Sequence, residues 1–339
     1  MCFMKNKKII TIKNKVNYLL EQRKSVKTRI LLAVIACVMV FVAVFIAITV
    51  VNLIANFSFR ETFYNINSIK VGDTIRVIQL SDLHNSKYGK DNSKLLERVT
   101  ELEPDIIIAT GDMLDRRDKK QDVAYNLLEK LTKVAPTYFV YGNNEWALDY
   151  DFDSSLEDLE KEYGQSENVH DLNKLLKGAK KSEIRKELEK RGVRVLQNEM
   201  TSVEVDGGIV DIYGLFTSNP SAFWHYAGKD YEKFMKEDTH HIKIFASHEP
   251  YVYETFKDNT WGDLMLCGHT HGGLSVFPVV GALWEQTHGL FPEKTGQPRY
   301  VRGRYDIVGG SLIVNRGLSN RGIVRINNKP ELVIIDIGR

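Results

Sequence analysis

Five apolar runs in the chain end in the same way, each closing on a short polar segment rich in side chains that can hold a metal ion. Arg76-Val77-Ile78-Gln79-Leu80 runs into Asp82-Leu83-His84. Asp105 to Thr110 runs into Gly111-Asp112. Thr137-Tyr138-Phe139-Val140-Tyr141 precedes Gly142-Asn143-Asn144-Glu145. Ile242 to Ala246 precedes Ser247-His248-Glu249, and Leu264 to Cys267 precedes Gly268-His269-Thr270-His271. Short continuous apolar runs bounded by turn residues predict strands buried on both faces. Open α/β sheets place their sites at the C-terminal edge of such strands. Between Asp149 and Arg194 the pattern changes. Charge is dense there, and Leu156, Leu159, Leu172, Leu175 and Leu176 fall at helical spacing. A helical insertion is expected from Tyr150 to Ser182, either capping a substrate groove or standing as a solvated hairpin. At the other end, Ile30 to Ile54 is apolar except for Thr49 and Asn52. At 1.5 Å per residue it reaches roughly 37 Å, enough to cross a bilayer with tilt.

The polar segments together offer Asp82, His84, Asp112, Asn143, His248, His269 and His271. All seven are oxygen or nitrogen ligands and none is a thiolate, a mix that suits Mn, Fe or Zn held for hydrolysis. Asp82 and His84 lie two apart, so in extended chain they point to one side and reach one ion together. Taken singly, each segment has a bland reading. Gly-Asp is an ordinary turn dipeptide, and a lone histidine more often packs than ligates. The shared position of all five at strand ends is what points to one site.

In this order, the segments resemble the calcineurin-like metallophosphoesterases, whose pattern is Asp-x-His, Gly-Asp, Gly-Asn-His-Glu/Asp, His, Gly-His-x-His. The resemblance covers about Val71 to Ile337. It is closest to a bacterial membrane-anchored phosphodiesterase branch, through His271-Gly272-Gly273, Asn315-Arg316-Gly317-Leu318 and Arg325 to Leu332. It implies a four-layer α/β/β/α sandwich with two divalent metal ions at the strand ends. It also implies one metal on Asp82, His84, Asp112 and His271, and a second on Asp112, Asn143, His248 and His269. Asp112 then bridges the two. One position departs from the pattern, since Asn144 stands where the family usually carries a histidine that stabilises the phosphoryl group or protonates the leaving oxygen. An amide donates a hydrogen bond but is no useful acid. Either the substrate has a good leaving group, or another group takes over, or turnover is slow. His170, His225, His240, His241 and His288 are the remaining histidines, each more readily read as a surface or packing residue.

Charge bears on location. Residues 1–29 hold nine basic side chains against Glu21, a charge of +8, whereas the whole chain carries +2; everything after residue 29 therefore carries 2 − 8 = −6. The expected organisation is a basic cytoplasmic arm (1–29), a transmembrane anchor (30–54), a connector (55–70) and a catalytic domain (71–339) outside the membrane. An acidic domain argues against general nucleic-acid binding. Cys2, Cys37 and Cys267 give no disulfide framework. Phe216, Phe223, Trp224, Tyr226, Trp284 and Phe291 are candidates for an apolar wall beside a lipid tail, though core packing explains most of them equally well. The expected activity is hydrolysis of a phosphodiester or pyrophosphate in a lipid head group or cell-envelope polymer. The alternatives are a metal-binding envelope protein with little catalysis, and a phosphoprotein phosphatase or nuclease.

Overall fold

The computed structural model describes residues 2–150, 182–215, 228–236, 240–256, 262–285, 289–294, 300–321 and 325–338. The chain divides into two units, Met1–Leu53 and Ile54–Arg339. The first lies within one long helix, α1, Cys2–Ala55. Its stretch Gln22–Asn52 has a mean hydropathy of 3.3 and is long and apolar enough to cross a membrane. Side chains such as Leu32, Phe41 and Ile48 are exposed. Burial in a protein core therefore does not account for their character, which separates this helix from an ordinary core helix.

The second unit is built on two six-stranded sheets. Its strands are β1 (Arg60–Asn67), β2 (Ile75–Leu80), β3 (Ile106–Ala109), β4 (Thr137–Phe139), β5 (Arg194–Val195), β6 (Glu199–Val205), β7 (Gly208–Gly214), β8 (Ile242–Ala246) and β9 (Leu264–Cys267). After these come the two-residue strands β10 (Val276–Phe277), β11 (Gly281–Ala282), β12 (Trp284–Glu285) and β13 (Gly289–Leu290), then β14 (Gly303–Ile307), β15 (Gly310–Val314) and β16 (Glu331–Gly338). One sheet has the order β1-β16-β2-β3-β4-β5 and the other β14-β15-β9-β8-β7-β6, while β10–β11 and β12–β13 form two separate ribbons. Both large sheets are mixed. The strands β2, β3, β4 and β5 run parallel, with β16 antiparallel to β2. In the other, β7, β8, β9 and β15 run parallel, with antiparallel edges β6 and β14.

Alternation along the strands builds four layers. Ile75 and Val77 of β2, Ile106 and Ile108 of β3, Ile242 and Ile244 of β8 and Leu264 and Leu266 of β9 meet in one core between the sheets. Their neighbours point outward. Ile78, Leu80, Ile107 and Ala109 pack under α2 (Ser93–Glu101), α3 (Asp122–Leu131) and α5 (Glu183–Lys190). Those helices bury Leu95 and Val99, then Ala124, Leu127, Leu128 and Leu131, then Ile184 and Leu188, one stripe each at three- and four-residue spacing. On the far side Phe245, Met265, Cys267, Leu312 and Val314 pack under Phe234 of α6 (Gly228–Lys236) and Val252 of α7 (Val252–Phe256). This is the α/β/β/α sandwich that the family pattern implied.

The stretch 55–70 is no mere connector, because β1 pairs in parallel with β16 from Arg60↔Glu331 to Asn67↔Gly338. The helical insertion expected between Tyr150 and Ser182 lies outside the described residues, as do Phe216, Phe223, Trp224, Tyr226, His170, His225 and His288.

Candidate metal centre

All seven candidate ligands come from the C-terminal ends of β2, β3, β4, β8 and β9, where the two sheets meet. Asn143 opens α4 (Asn143–Tyr150) directly after β4. The turns are sewn to one another through the backbone. Asp82 N–H donates to Gly111 O at 2.9 Å, His84 N–H to Asp112 O at 3.0 Å, and Gly268 N–H to His248 O at 2.9 Å.

Asp82 and His84 do reach one region, but not as extended chain. Their φ angles are +49° and +46°, so a left-handed turn presents them. Asp112, His269 and His271 also have positive φ, at 51°, 72° and 49°. Side-chain-bearing residues adopt this region only under constraint, and such strain collects at functional sites. Gly142 permits a close approach to Asp112. A Cβ on it lies 2.2 Å from Asp112 Oδ1.

Asp112 sits between two groups of ligands. Its Oδ2 is 3.5 Å from His84 Nε2 and 3.5 Å from His248 Nε2. Asp82, His84 and His271 form one cluster whose ligand atoms all lie within 4.8 Å of one another, and Asp82, Asp112 and His248 form a second. The His271 Nε2–Asp82 Oδ1 distance is 3.8 Å. His269 Nδ1 lies 3.2 Å from Asn143 Oδ1, and its ring meets that of His248 edge-on at 5.0 Å. The structure thus brings all seven residues to one place, with Asp82 common to both Asp/His clusters and Asp112 Oδ2 3.5 Å from both His84 and His248.

The second layer of contacts aims these atoms. His248 Nδ1 is 2.7 Å from the carbonyl of Thr110, which holds a proton on Nδ1 and turns Nε2, the atom that would ligate once its own proton is displaced, toward Asp112. His248 Nε2 and both ring nitrogens of His84 are buried with no hydrogen-bond partner. Unsatisfied buried nitrogens facing buried carboxylates are what a cation would satisfy. The donor set therefore fits divalent metal ions.

Electrostatics point the same way. Burial pushes the Asp82 carboxyl up, and Asp112 beside it adds to the rise. Burial also acts on Asp112, but the surrounding His248 and His84 hold it below its usual range. Burial pulls His248 down, yet the Asp112 and Asp82 carboxylates outweigh this and lift it to about 10. Burial drives His269 down to about 3 and His271 well below its ordinary value. Two carboxylates out of water need positive charge close by. Divalent cations supply that charge.

Several residues with structural duties here were not assigned them from the sequence. Glu145 is fully buried, and its carboxylate accepts from the N–H groups of Asp112 (2.9 Å), Leu114 (2.9 Å) and Gly142 (2.8 Å). It ties the Gly-Asp and Gly-Asn turns together. Asn144 donates from Nδ2 to Asp112 Oδ2 at 2.6 Å, donates from its backbone N–H to Asp112 Oδ1 at 2.8 Å, and accepts at Oδ1 from Arg116 N–H at 3.1 Å. Buried Arg325 donates to the carbonyls of Ser319, Arg316 and His271, and Asn328 Nδ2 donates to His271 O at 2.7 Å. The C-terminal segments around Arg316 and Arg325 therefore hold the His271 turn. The spacing of Glu145 behind Gly142 was the available signal for its role; nothing local signals the role of Arg325. Of the histidines considered as substitute acids, His240 and His241 precede β8, at the opposite end of that strand from His248, and His241 Nδ1 pairs with Asp211 Oδ2 at 3.0 Å.

The centre opens into a cleft of about 280 Å³ lined by His84, Asp112, Asn143, Asn144, His269 and His271, together with Arg116, Arg117, Leu274 and Trp284. Paired Asp/His clusters at the joined ends of two sheets, facing an open cleft, define a dinuclear metal hydrolase. Residues 75–273 match the calcineurin-like phosphoesterase family, more than half the chain, and the chain belongs to it. The family uses two divalent metals, and the protein is a metal-dependent phosphoesterase. An uncharacterized metallophosphoesterase of Aquifex aeolicus is 28% identical over 298 residues, covering 84% of this chain and 96% of that one. The phosphodiesterase YaeI of Escherichia coli is 24% identical over 265 residues, covering 77% and 82%. A dimetal phosphatase from Danio rerio superposes at 10% identity with a TM-score of 0.37, covering 73% of this chain and 88% of that one.

Proposed function

We propose that this protein is a membrane-tethered phosphoesterase that cleaves a phosphodiester or pyrophosphate in a lipid head group or a cell-envelope polymer. Asp82, His84, Asp112 and His271 would hold one ion, and Asp112, Asn143, His248 and His269 the other, with Mn, Fe or Zn as the candidate metals. The observation that carries this reading is Asp112 Oδ2, set 3.5 Å from a histidine of each group. When bound, two such ions acidify water and draw charge from the phosphoryl oxygens.

The chain's own residues do the rest. Thr110 holds a proton of His248 on Nδ1, so Nε2 is the atom that would ligate once its own proton is displaced. Glu145 fixes the backbone on either side of Asp112. Asn144 has both ends of its amide engaged, by Asp112 and by Arg116 N–H, and an amide has no proton to give. The leaving group must therefore depart with little help from position 144, which favours aryl esters and phosphoanhydrides over alkyl esters.

Three observations support a membrane substrate. The apolar helix would tether the domain beside a bilayer. The +8 arm before it favours a cytoplasmic N-terminus and an external catalytic domain. Leu274 and Trp284 line the cleft, Trp284 pairs with Leu290, and Phe277, Val279, Leu290 and Phe291 in the same stretch of chain are all exposed, Val279 at 94%. An apolar rim of this kind suits an acyl chain. Its Trp284 and Phe291 are the two aromatic candidates that fall within the described residues. The phosphodiester itself is suggested by the activity in the name of the Escherichia coli relative.

The test is turnover by the full chain in detergent, loaded in turn with Mn, Fe, Zn and Mg. Substrates would be aryl phosphodiesters, pyrophosphate diesters and phospholipids. Metal-dependent cleavage of a diester or pyrophosphate is expected. A fully metallated protein inert toward all of them contradicts the proposal.

A further inference from the structure

Arginines in this domain are generally spoken for. Arg76 pairs with Asp336, Arg98 with Glu61, Arg185 with Glu199, Arg191 with Glu129, and Arg321 with Asp118. At the cleft, Arg117 is taken up by buried Asp115 through Nε at 2.8 Å and Nη2 at 2.6 Å. Arg116 is different. It lines the same cleft and is exposed, and among the described residues its guanidinium has no hydrogen bond or ion pair.

Its backbone, by contrast, is fixed. The Arg116 N–H donates to Asn144 Oδ1 at 3.1 Å, and the Asn144 amide in turn donates to Asp112 Oδ2 at 2.6 Å. Leu114 and Asp115, just before it, are held by Glu145 and Gln121. One uncommitted cation is thus carried at the cleft on a loop tied to the carboxylate at the heart of the metal centre. The tie is made by the residue that replaces the family's histidine.

We propose that Arg116 is an anion subsite, which receives a second phosphate attached to the phosphoryl group under attack. The site then selects pyrophosphate-linked substrates over isolated phosphodiesters. This inference rests on the phosphoesterase reading above. In the reaction, the oxygen of water bonds to the attacked phosphorus and the bridging P–O bond breaks. Its electron pair stays on the departing phosphate, and the protons of water pass to solvent. The forked guanidinium pairs with the charge gathering on the departing phosphate. A leaving group stabilised in this way needs no proton from position 144.

Two measurements on the metal-loaded full chain test this. First, methylenediphosphonate and methylphosphonate are titrated calorimetrically into the wild type, Arg116→Ala and Arg116→Lys, with metal content checked afterwards. Arg116→Ala should weaken the diphosphonate by roughly 10- to 100-fold and the monophosphonate by less than about 3-fold. Arg116→Lys should recover part of the loss. Equal weakening of both probes, no weakening of either, or loss of metal from Arg116→Ala overturns the subsite. Second, KM is compared for a pyrophosphate diester and a bis-aryl phosphodiester. The Arg116→Ala loss should fall on the first, and an equal loss on both counts against the subsite. Should the wild type turn over neither substrate, the phosphoesterase reading fails, while the calorimetry still decides the subsite.

Discussion

Gly142→Ala should disable the centre while barely touching the fold. The added Cβ would lie 2.2 Å from Asp112 Oδ1 and 2.5 Å from Asp112 N, whereas real Cβ contacts essentially never fall below 3.0 Å. Either Asp112 or the turn at residue 142 must therefore move by about 0.8 Å, the shortfall between 3.0 and 2.2 Å. The turn cannot easily yield, because Gly142 N–H is bound by Glu145 at 2.8 Å. Overpacking of this kind typically costs about 1–3 kcal/mol. Displacing a reacting group by about 1 Å can cost ~100-fold in rate. Gly192→Ala separates the two effects. That glycine has φ +87° and sits far from the cleft, and its Cβ would meet Thr132 Oγ1 at an ordinary 3.5 Å. It should lose about 1–2 kcal/mol to left-handed strain and keep full activity. The assays are thermal melts, bound metal and kcat on an aryl phosphodiester. A folded Gly142→Ala protein with wild-type metal content and kcat would refute the reasoning, since Asp112 would then tolerate displacement.

Three further predictions follow from the site and the termini. Asn144→His should speed alkyl esters far more than aryl esters, by up to the ~10²–10⁴-fold that a positioned acid supplies; equal leaving-group slopes in kcat/KM for the two proteins would show that position 144 plays no part in proton transfer. In the metal-free protein, His248 titrates near 10 folded against 6.5 unfolded, while burial raises Glu249 to about 8 and Glu145 to about 7, both from 4.5. All three hold protons more tightly when folded, so their contribution falls as pH rises from about 6.5 to 8, and the melting temperature should fall with it. His269, lowered to about 3, and His271, lowered well below 6.5, still lose protons in the unfolded chain at the bottom of that window, which blunts the fall there without reversing it. Metal should weaken the trend by replacing the His248 proton; a metal-free melting temperature that climbs between pH 6.5 and 8 would contradict this. Finally, protease added to intact spheroplasts should digest the catalytic domain, whereas protection until lysis would reverse the proposed orientation.

The parts of the fold that could be read from the sequence are those written locally. The runs at Ile242–Ala246 and Leu264–Cys267 coincide with β8 and β9, and the run at Arg76–Leu80 falls within β2. Strands buried on both faces are apolar throughout, so they stand out without any knowledge of their partners. The pairing of β1 with β16 is different. Arg60 meets Glu331 across almost the whole domain, and β1 is a half-exposed edge with a mixed pattern, so nothing near residue 60 announces it. At the site, the ligand types and their order were legible because chemistry restricts them. The left-handed backbone of Asp82 and His84 was not, because only contacts with the Gly111–Asp112 turn enforce it. Arg325 was quoted only as part of a family signature. Its work on the carbonyls of Ser319, Arg316 and His271 depends on loops distant in sequence folding over it.

The account stands on Asp112 serving both groups of ligands at once. Metal content after equilibrium dialysis of the wild type, Asp112→Ala and His84→Ala tests that most directly, with folding checked by the melting transition of each metal-free protein. Two equivalents are expected in the wild type, close to none in Asp112→Ala, and about one in His84→Ala, because His84 belongs to a single group. Two full equivalents retained by Asp112→Ala would contradict the bridging role and the centre built on it.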